Sequence, residues 1–288
     1  AQATGGAGGA QAVGGAGGAQ AAGGSGGATG PTGMSEGCGM NPTQSLATYV
    51  QHNIMVTGLD AMYTAMYTNR NYYLRLPTGY NPATKYATVF LGPGCGGDGK
   101  SVIPVQDASK GNAIIVGLSP VGQCFKTNGA TSPDNPFFDA VLKEVEATTC
   151  VDKAKVFVAG FSSGSWLSNQ LGCLRAGIIR GQGNATGGLP GNMPTCAGPI
   201  AAMLAHDTTD TANPISGGMA ARDRILKING CTGTDTVPYD AGTPSPCVQY
   251  TGCPAAYPVV WCATTGKGHS DQIPISTTGF WKFWSSLP

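Results

Sequence analysis

The chain has 288 residues, a net charge of +1 and only 11% charged residues, well below the ~25% usual for soluble domains. No basic stripe exists to displace counterions from phosphates, which argues against a nucleic-acid partner. No apolar run is long enough to span a bilayer, and no signal peptide is visible.

Ala1 to Gly27 is a nine-residue repeat written three times, AQATGGAGG, AQAVGGAGG and AQAAGGSGG, running out through Ala28 to Gly33. Such a stretch buries nothing and loses much backbone entropy on ordering, so residues 1–33 are expected to form a disordered tether. Residues 34–288 are long enough for one α/β domain with a sizeable core. That part carries ten cysteines, Cys38, Cys95, Cys124, Cys150, Cys173, Cys196, Cys231, Cys247, Cys253 and Cys262. The number is even and none falls in the C-x-x-C spacing of a zinc site, so a disulfide framework in a secreted, extracellular protein is expected, with no metal and no cofactor.

An alternating segment from Leu46 to Val56 predicts a first strand, and Tyr72 to Leu76 a second, closed by the turn signal Pro77-Thr78-Gly79. Ala87 to Leu91 (ATVFL) is a continuous apolar strand running into Gly92-Pro93-Gly94-Cys95-Gly96-Gly97, a loop whose amides could approach an oxyanion closely. Asn112 to Leu118 is the next buried strand. Asn135-Pro136 opens a helix with a cap residue and a proline in the first turn, and Phe138, Val141, Leu142 and Val145 repeat on its core face.

Lys155 to Ala159 reads as a buried strand, followed by Gly160-Phe161-Ser162-Ser163-Gly164 and then a helical pattern. This is G-x-S-x-G in the strand–turn–helix context of a nucleophile elbow, where a Cβ at Gly160 or Gly164 would collide with the neighbouring strand and helix. Gly181 to Thr195 reads as a loop, with Asn184-Ala185-Thr186 a glycan acceptor motif. Pro199 to Ala205 is an apolar strand ending in His206-Asp207-Thr208-Thr209-Asp210. Ser216 to Asn229 is an amphipathic helix closed by Gly230. Pro258 to Ala263 is the last strand, with Gly266-Lys267-Gly268-His269 leaving its end. Phe280, Trp281, Phe283 and Trp284 fall on one side of a terminal helix as packing anchors. Strands alternating with helices imply a mainly parallel sheet, whose active site lies beyond the C-terminal strand ends.

A serine hydroxyl needs a base within hydrogen-bond reach, and the base needs a carboxylate to fix its tautomer. In this fold class the order is Ser, acid, His. The chain has only three histidines. His52 lies before the serine and His206 precedes most candidate acids, which leaves His269 as the base of Ser162. Asp210 is favoured as the acid because it projects into the loop crevice, whereas Asp207 turns or caps the chain; Asp235, Asp240 and Asp271 are weaker candidates. The backbone N–H groups of Ser163 and Cys95 are the expected oxyanion donors.

The segments Ser35-Glu36-Gly37-Cys38-Gly39, Tyr73-Leu74-Arg75-Leu76-Pro77, Cys150-Val151-Asp152, Gly160-Phe161-Ser162, Arg222-Asp223-Arg224 through Asn229-Gly230-Cys231, and Tyr250-Thr251-Gly252-Cys253 through Tyr257-Pro258-Val259-Val260-Trp261-Cys262 resemble the secreted feruloyl esterases of carbohydrate esterase family 1. These are related to extracellular polyhydroxybutyrate depolymerases. The likeness covers nearly everything from Cys38 onward. It implies an α/β-hydrolase fold with a Ser-Asp-His triad on Ser162, Asp210 and His269. It also implies a monomeric serine esterase acting on an ester-bearing polymer, a plant cell-wall polysaccharide with aromatic or short acyl groups. Relatives usually have a histidine where this chain has Pro93, and Cys95 and Cys124 look additional to the family's set, which implies that they pair and tie the oxyanion loop to the loop after the next strand. Two other readings are a polyester depolymerase and a non-catalytic carbohydrate-binding or adhesion module.

Overall fold

The computed structural model describes residues 32–288 except 191 and 194; the repeat, and all but the last two residues of the expected tether, lie outside the described residues. Among the described residues ten strands form one sheet. In chain order they are β1 (Val50–Met55), β2 (Asn69–Arg75), β3 (Tyr86–Gly92), β4 (Ala113–Leu118), β5 (Val151–Phe161), β6 (Gly181–Ala185), β7 (Ala201–Asp207), β8 (Thr236–Pro238), β9 (Cys247–Tyr250) and β10 (Val259–Thr264). The spatial order is β1-β2-β4-β3-β5-β6-β7-β10-β9-β8. The six strands from β4 to β10 pair in parallel, and an antiparallel pair closes each edge.

The helices are α1 (Thr64–Tyr67), α2 (Val105–Ser109), α3 (Asp134–Thr148), α4 (Ser163–Leu174), α5 (Ile215–Ile228) and α6 (Phe280–Ser285). The inner strands β3, β4 and β7 are buried at every position, because helices cover both faces of the sheet. Phe90, Ile114 and Val158 pack with Phe138 and Val141 of α3 and Leu167 of α4. The alternate residues Val89, Ile115 and Ala159 face the other way, into a cluster with Val105 of α2 and Phe280 and Trp284 of α6. Ala202 and Leu204 of β7 meet Ala221 and Ile225 of α5. The period-two alternation of each strand thus separates two cores across one sheet.

Several expected boundaries move. The first strand begins at Val50 rather than Leu46. The third helix begins at Asp134, and Asn135 is not its cap: its Nδ2 donates to the Gly129 carbonyl at 2.9 Å. Phe280, Phe283 and Trp284 are buried anchors of the last helix, and Trp281, partly buried, packs against the same cluster.

The largest correction is at Gly181 to Thr195. Its first five residues are not loop but strand β6, paired in parallel with β5 and β7. GQGNA offers no apolar pattern because Gly183 lies flat under the Phe280 ring, where a Cβ would clash, while Gln182 and Asn184 face α4. Asn184 is 2% exposed, so it is not an accessible glycan acceptor.

All ten cysteines pair: Cys38–Cys150, Cys95–Cys124, Cys173–Cys196, Cys231–Cys253 and Cys247–Cys262. The 95–124 pairing is the one expected. Among the described residues no helix is long and apolar enough to cross a membrane.

A buried ion pair fixes the loop that carries Cys124. Arg70 Nη2 donates to Asp134 Oδ1 and to the Ser119 carbonyl, both at 2.8 Å, and its guanidinium lies 3.8 Å from the Phe137 ring centroid. Asp134 Oδ2 accepts the Lys126 amide at 2.7 Å. Both side chains of the pair are 1% exposed, and burial pushes the Asp134 carboxyl up despite Arg70 and the Lys126 amide. Arg70→Ala removes one partner and strands the other, so it should cost about 3–5 kcal/mol in denaturant unfolding. A loss below ~1 kcal/mol would show that Asp134 is stabilised by other means.

Candidate active site

The elbow forms where β5 ends at Phe161 and α4 begins at Ser163, leaving Ser162 at φ 51° and ψ −114°. A side chain rarely adopts such a backbone unless its surroundings impose it. They do so here through close backbone contact: a Cβ on Gly164 would overlap the Gly92 carbonyl of β3, and one on Gly160 would overlap the backbone of Gly164. Both expected collisions are present, and they are why the turn admits only glycine at these positions.

The Ser162 hydroxyl donates to His269 Nε2 at 3.0 Å, and His269 Nδ1 donates to Asp210 Oδ2 at 2.9 Å. A carboxylate can only accept, so the Nδ1 proton is fixed and Nε2 is left free to accept from the serine. The Phe161 ring packs against the imidazole, with centroids 5.0 Å apart. Asp210 Oδ1 accepts the amides of Ala212 and Asn213, both at 2.9 Å. Burial alone would raise the Asp210 pKa; the bonds from His269 and from the two amides outweigh it and hold the carboxyl below its ordinary value.

Asp210 and Asp207 point in different directions, and of the two only Asp210 bonds to His269. Asp207 is fully buried and organises chain rather than imidazole: Oδ1 accepts the Thr209 amide and hydroxyl, and Oδ2 accepts the Thr264 hydroxyl and the Lys267 amide. It thereby fixes the loop that carries His269. Burial pushes this carboxyl up, but those four bonds prevail and hold it far below the usual range. A group whose folded pKa is depressed stabilises the fold above its unfolded pKa, near ~3.9, and loses that contribution as pH falls through the folded value. Asp207→Asn should therefore be destabilised at pH 6–7, with the deficit against the parent shrinking as pH drops below about 4. Denaturant unfolding from pH 3 to 7 tests this, and a deficit independent of pH would contradict it.

Of the other candidates, none of Asp235, Asp240 and Asp271 hydrogen-bonds to the His269 ring among the described residues; Asp240 pairs with Lys282. His52 lies on β1, stacked on Tyr72 and bonded to Gln44. His206 lies closer than its sequence position implied. It is buried in β7, its Nε2 donates to the Asn213 carbonyl at 2.7 Å, and the same nitrogen is 3.5 Å from Asp210 Oδ2. Burial lowers its pKa, so it supports the acid loop as a neutral ring.

The loop after β3 reaches the elbow from the other side. The Gly164 amide donates to the Pro93 carbonyl at 2.9 Å, and the Gly96 amide to the Gln123 carbonyl at 2.6 Å. Around the elbow, the Ser162, Gly164, Ser165 and Trp166 amides all donate to backbone carbonyls; the Ser163 amide, at the first position of α4, has no such partner among the described residues. Sequence reasoning overlooked the Ser163 hydroxyl, which accepts the Phe125 amide at 2.9 Å. Together with Cys95–Cys124, that bond joins the oxyanion loop, the loop after β4 and the elbow into one assembly. Among the described residues no group of three or more His, Cys, Asp and Glu side chains could hold a metal ion.

Hydroxyl, imidazole and carboxylate in one hydrogen-bonded line, at the C-terminal ends of three parallel strands, can perform acyl transfer. A purely adhesive module has no use for that arrangement. Comparison with known proteins points the same way, although no family model matches the chain. Feruloyl esterase D of Neurospora crassa is 29% identical over 274 residues, 87% of this chain and 90% of that one. Feruloyl esterase C of Emericella nidulans is 30% identical over 252 residues, 84% of this chain and 85% of that one. Among solved structures, a carbohydrate esterase family 1 ferulic acid esterase from Anaeromyces mucronatus, in complex with ferulic acid, superposes with a TM-score of 0.58 at 16% identity, over 87% of this chain and 94% of that one. The shared fold is the α/β-hydrolase fold, and with the sequence likeness it establishes that the chain is a carboxylic-ester hydrolase belonging to the feruloyl esterase family.

Proposed function

We propose that Ser162 is the nucleophile, His269 the general base and acid, and Asp210 the orienting carboxylate of this esterase, with the Ser163 and Cys95 amides as oxyanion donors. The line Ser162–His269–Asp210, with links of 3.0 and 2.9 Å, is the observation that carries the reading. Ser162 Oγ attacks the ester carbonyl as its proton passes to His269 Nε2. The Asp210 carboxylate stabilises the imidazolium, and the oxyanion faces the free amides. The imidazolium then protonates the leaving alcohol oxygen as the C–O bond breaks. Water, losing a proton to the same nitrogen, releases the acid and restores the hydroxyl.

The substrate is an aromatic or short acyl ester on a plant cell-wall polysaccharide. The names and breadth of the relatives support this, as does a surface poor in charge. Five disulfides support an oxidising, extracellular setting. A panel of methyl ferulate, acetylated xylan, polyhydroxybutyrate and an aromatic polyester, with product release measured side by side, tests the assignment. Fastest turnover is expected on methyl ferulate. Preference for either polyester would replace the cell-wall reading with a depolymerase.

A further inference from the structure

Asn213 makes four contacts that converge on the site, two within its own loop and strand end and two from its side chain to distant parts of the chain. Its amide donates to Asp210 Oδ1 at 2.9 Å, and its carbonyl accepts the proton of His206 Nε2 at 2.7 Å. Its side-chain Nδ2 donates to the Thr186 carbonyl at 2.9 Å and lies 3.5 Å from Ser162 Oγ. One residue therefore touches both ends of the Ser162–His269–Asp210 line.

Thr186, at the end of β6, is the other half of the device. It is fully buried at φ 49°, a left-handed backbone that a β-branched side chain avoids unless held there. Its amide donates to the Ala205 carbonyl at 2.9 Å, and its hydroxyl donates to the Ser270 carbonyl, next to His269, at 3.1 Å. The amide of Ser162 donates to the Ala185 carbonyl, one residue before Thr186. A strained residue thus sits among the nucleophile turn, the histidine loop and the acid loop, and backbone strain of this kind collects where function requires it.

We propose that Asn213, held by Thr186, is a positioning residue that locks the acid loop to the nucleophile and keeps the Ser162 hydroxyl turned toward His269. The serine has one proton to give, and it goes to the imidazole. The Asn213 N–H approaches a lone pair of the same oxygen, so rotation of Oγ away from His269 loses this contact as well. At 3.5 Å the contact is long, as hydrogen bonds of resting catalytic sites often are, and it shortens as Oγ gains charge during attack. The inference rests on Ser162 being the nucleophile.

The test uses the full chain with methyl ferulate as substrate and a p-nitrophenyl phosphonate as titrant of the serine. Asn213→Ala should lower kcat roughly ten- to hundredfold with KM within about twofold, and slow phosphonylation by a similar factor, because misplacing a reacting group costs rate rather than binding. Thr186→Val, which deletes the bond to Ser270, should lower kcat about tenfold, whereas Thr186→Ser, which keeps the hydroxyl, should stay within about twofold of the parent. If Asn213→Ala does not fold, the Thr186 pair decides. The proposal is overturned by unchanged kcat and labelling in Asn213→Ala, or by equal activity in the two Thr186 variants, while Ser162→Ala is inactive. Retained activity in Ser162→Ala instead removes the nucleophile assignment, and this inference with it.

Discussion

Ser162→Ala is expected to lower kcat by roughly five to six orders of magnitude without disturbing the fold, because the serine and histidine of such a line act as a unit and losing either forfeits nearly all of the covalent pathway. The substitution removes one oxygen whose hydrogen-bond partners, among the described residues, are His269 Nε2 and Asn213 Nδ2, at 3.0 and 3.5 Å. Neither is a structural bond of the core, so circular dichroism and melting temperature should match the parent. The backbone bonds of the elbow, Ser162 amide to Ala185 and Gly164 amide to Pro93, are untouched by the change. Residual turnover of a p-nitrophenyl acyl ester above about one percent of the parent would remove Ser162 as the nucleophile.

Asp210→Asn should be nearly as severe, at about 10⁴-fold in kcat, and for a reason visible in the hydrogen bonds. Two backbone amides, those of Ala212 and Asn213, donate to Oδ1. An asparagine at this position must turn its carbonyl oxygen toward them, which places the NH₂ group where Oδ2 now faces His269 Nδ1. That group donates, so Nδ1 must become the acceptor and the ring proton moves to Nε2. Nε2 then faces the serine as a donor and cannot take its proton. The variant keeps its volume and its bonds to the Ala212 and Asn213 amides, so the loss of kcat should far exceed any loss of stability. An activity within tenfold of the parent, with the fold intact, would show that His269 does not depend on Asp210 for its tautomer.

Both predictions differ in kind from those for Arg70 and Asp207. Arg70 and Asp207 hold loops in place from buried positions, so their substitution registers in unfolding. In the proposed roles Ser162 and Asp210 act where charge develops, so their substitution is expected to register mainly in rate. The same division explains why Asp207 and Asp210, three residues apart and both depressed in pKa, have separate duties. Asp207 spends all its acceptor capacity on the Thr209, Thr264 and Lys267 groups that shape the His269 loop, while Asp210 reserves one oxygen for the imidazole.

By itself the sequence determined the α/β alternation, the elbow and the even set of cysteines. These signals are local: a buried strand shows as an unbroken apolar run, and G-x-S-x-G marks a turn whose glycines are required by atoms a few residues away. The expectation that Ser162, Asp210 and His269 lie together also followed, because few histidines were available, and the three are hydrogen-bonded in the fold. Tertiary structure decided the rest. Strand β6 carries glycine, glutamine and asparagine where Phe280 closes over Gly183 and Gln182 bonds to Asn169, so no apolar periodicity announces it. The contacts of the Asn213 side chain with Thr186 and Ser162, and of the Thr186 hydroxyl with Ser270, arise only when β6, the elbow, the loop after β7 and the loop after β10 lie side by side. Disulfide partners were likewise a matter of proximity in space: Cys38 and Cys150 are 112 residues apart in the chain, and Cys247 and Cys262 meet through the register of two antiparallel strands.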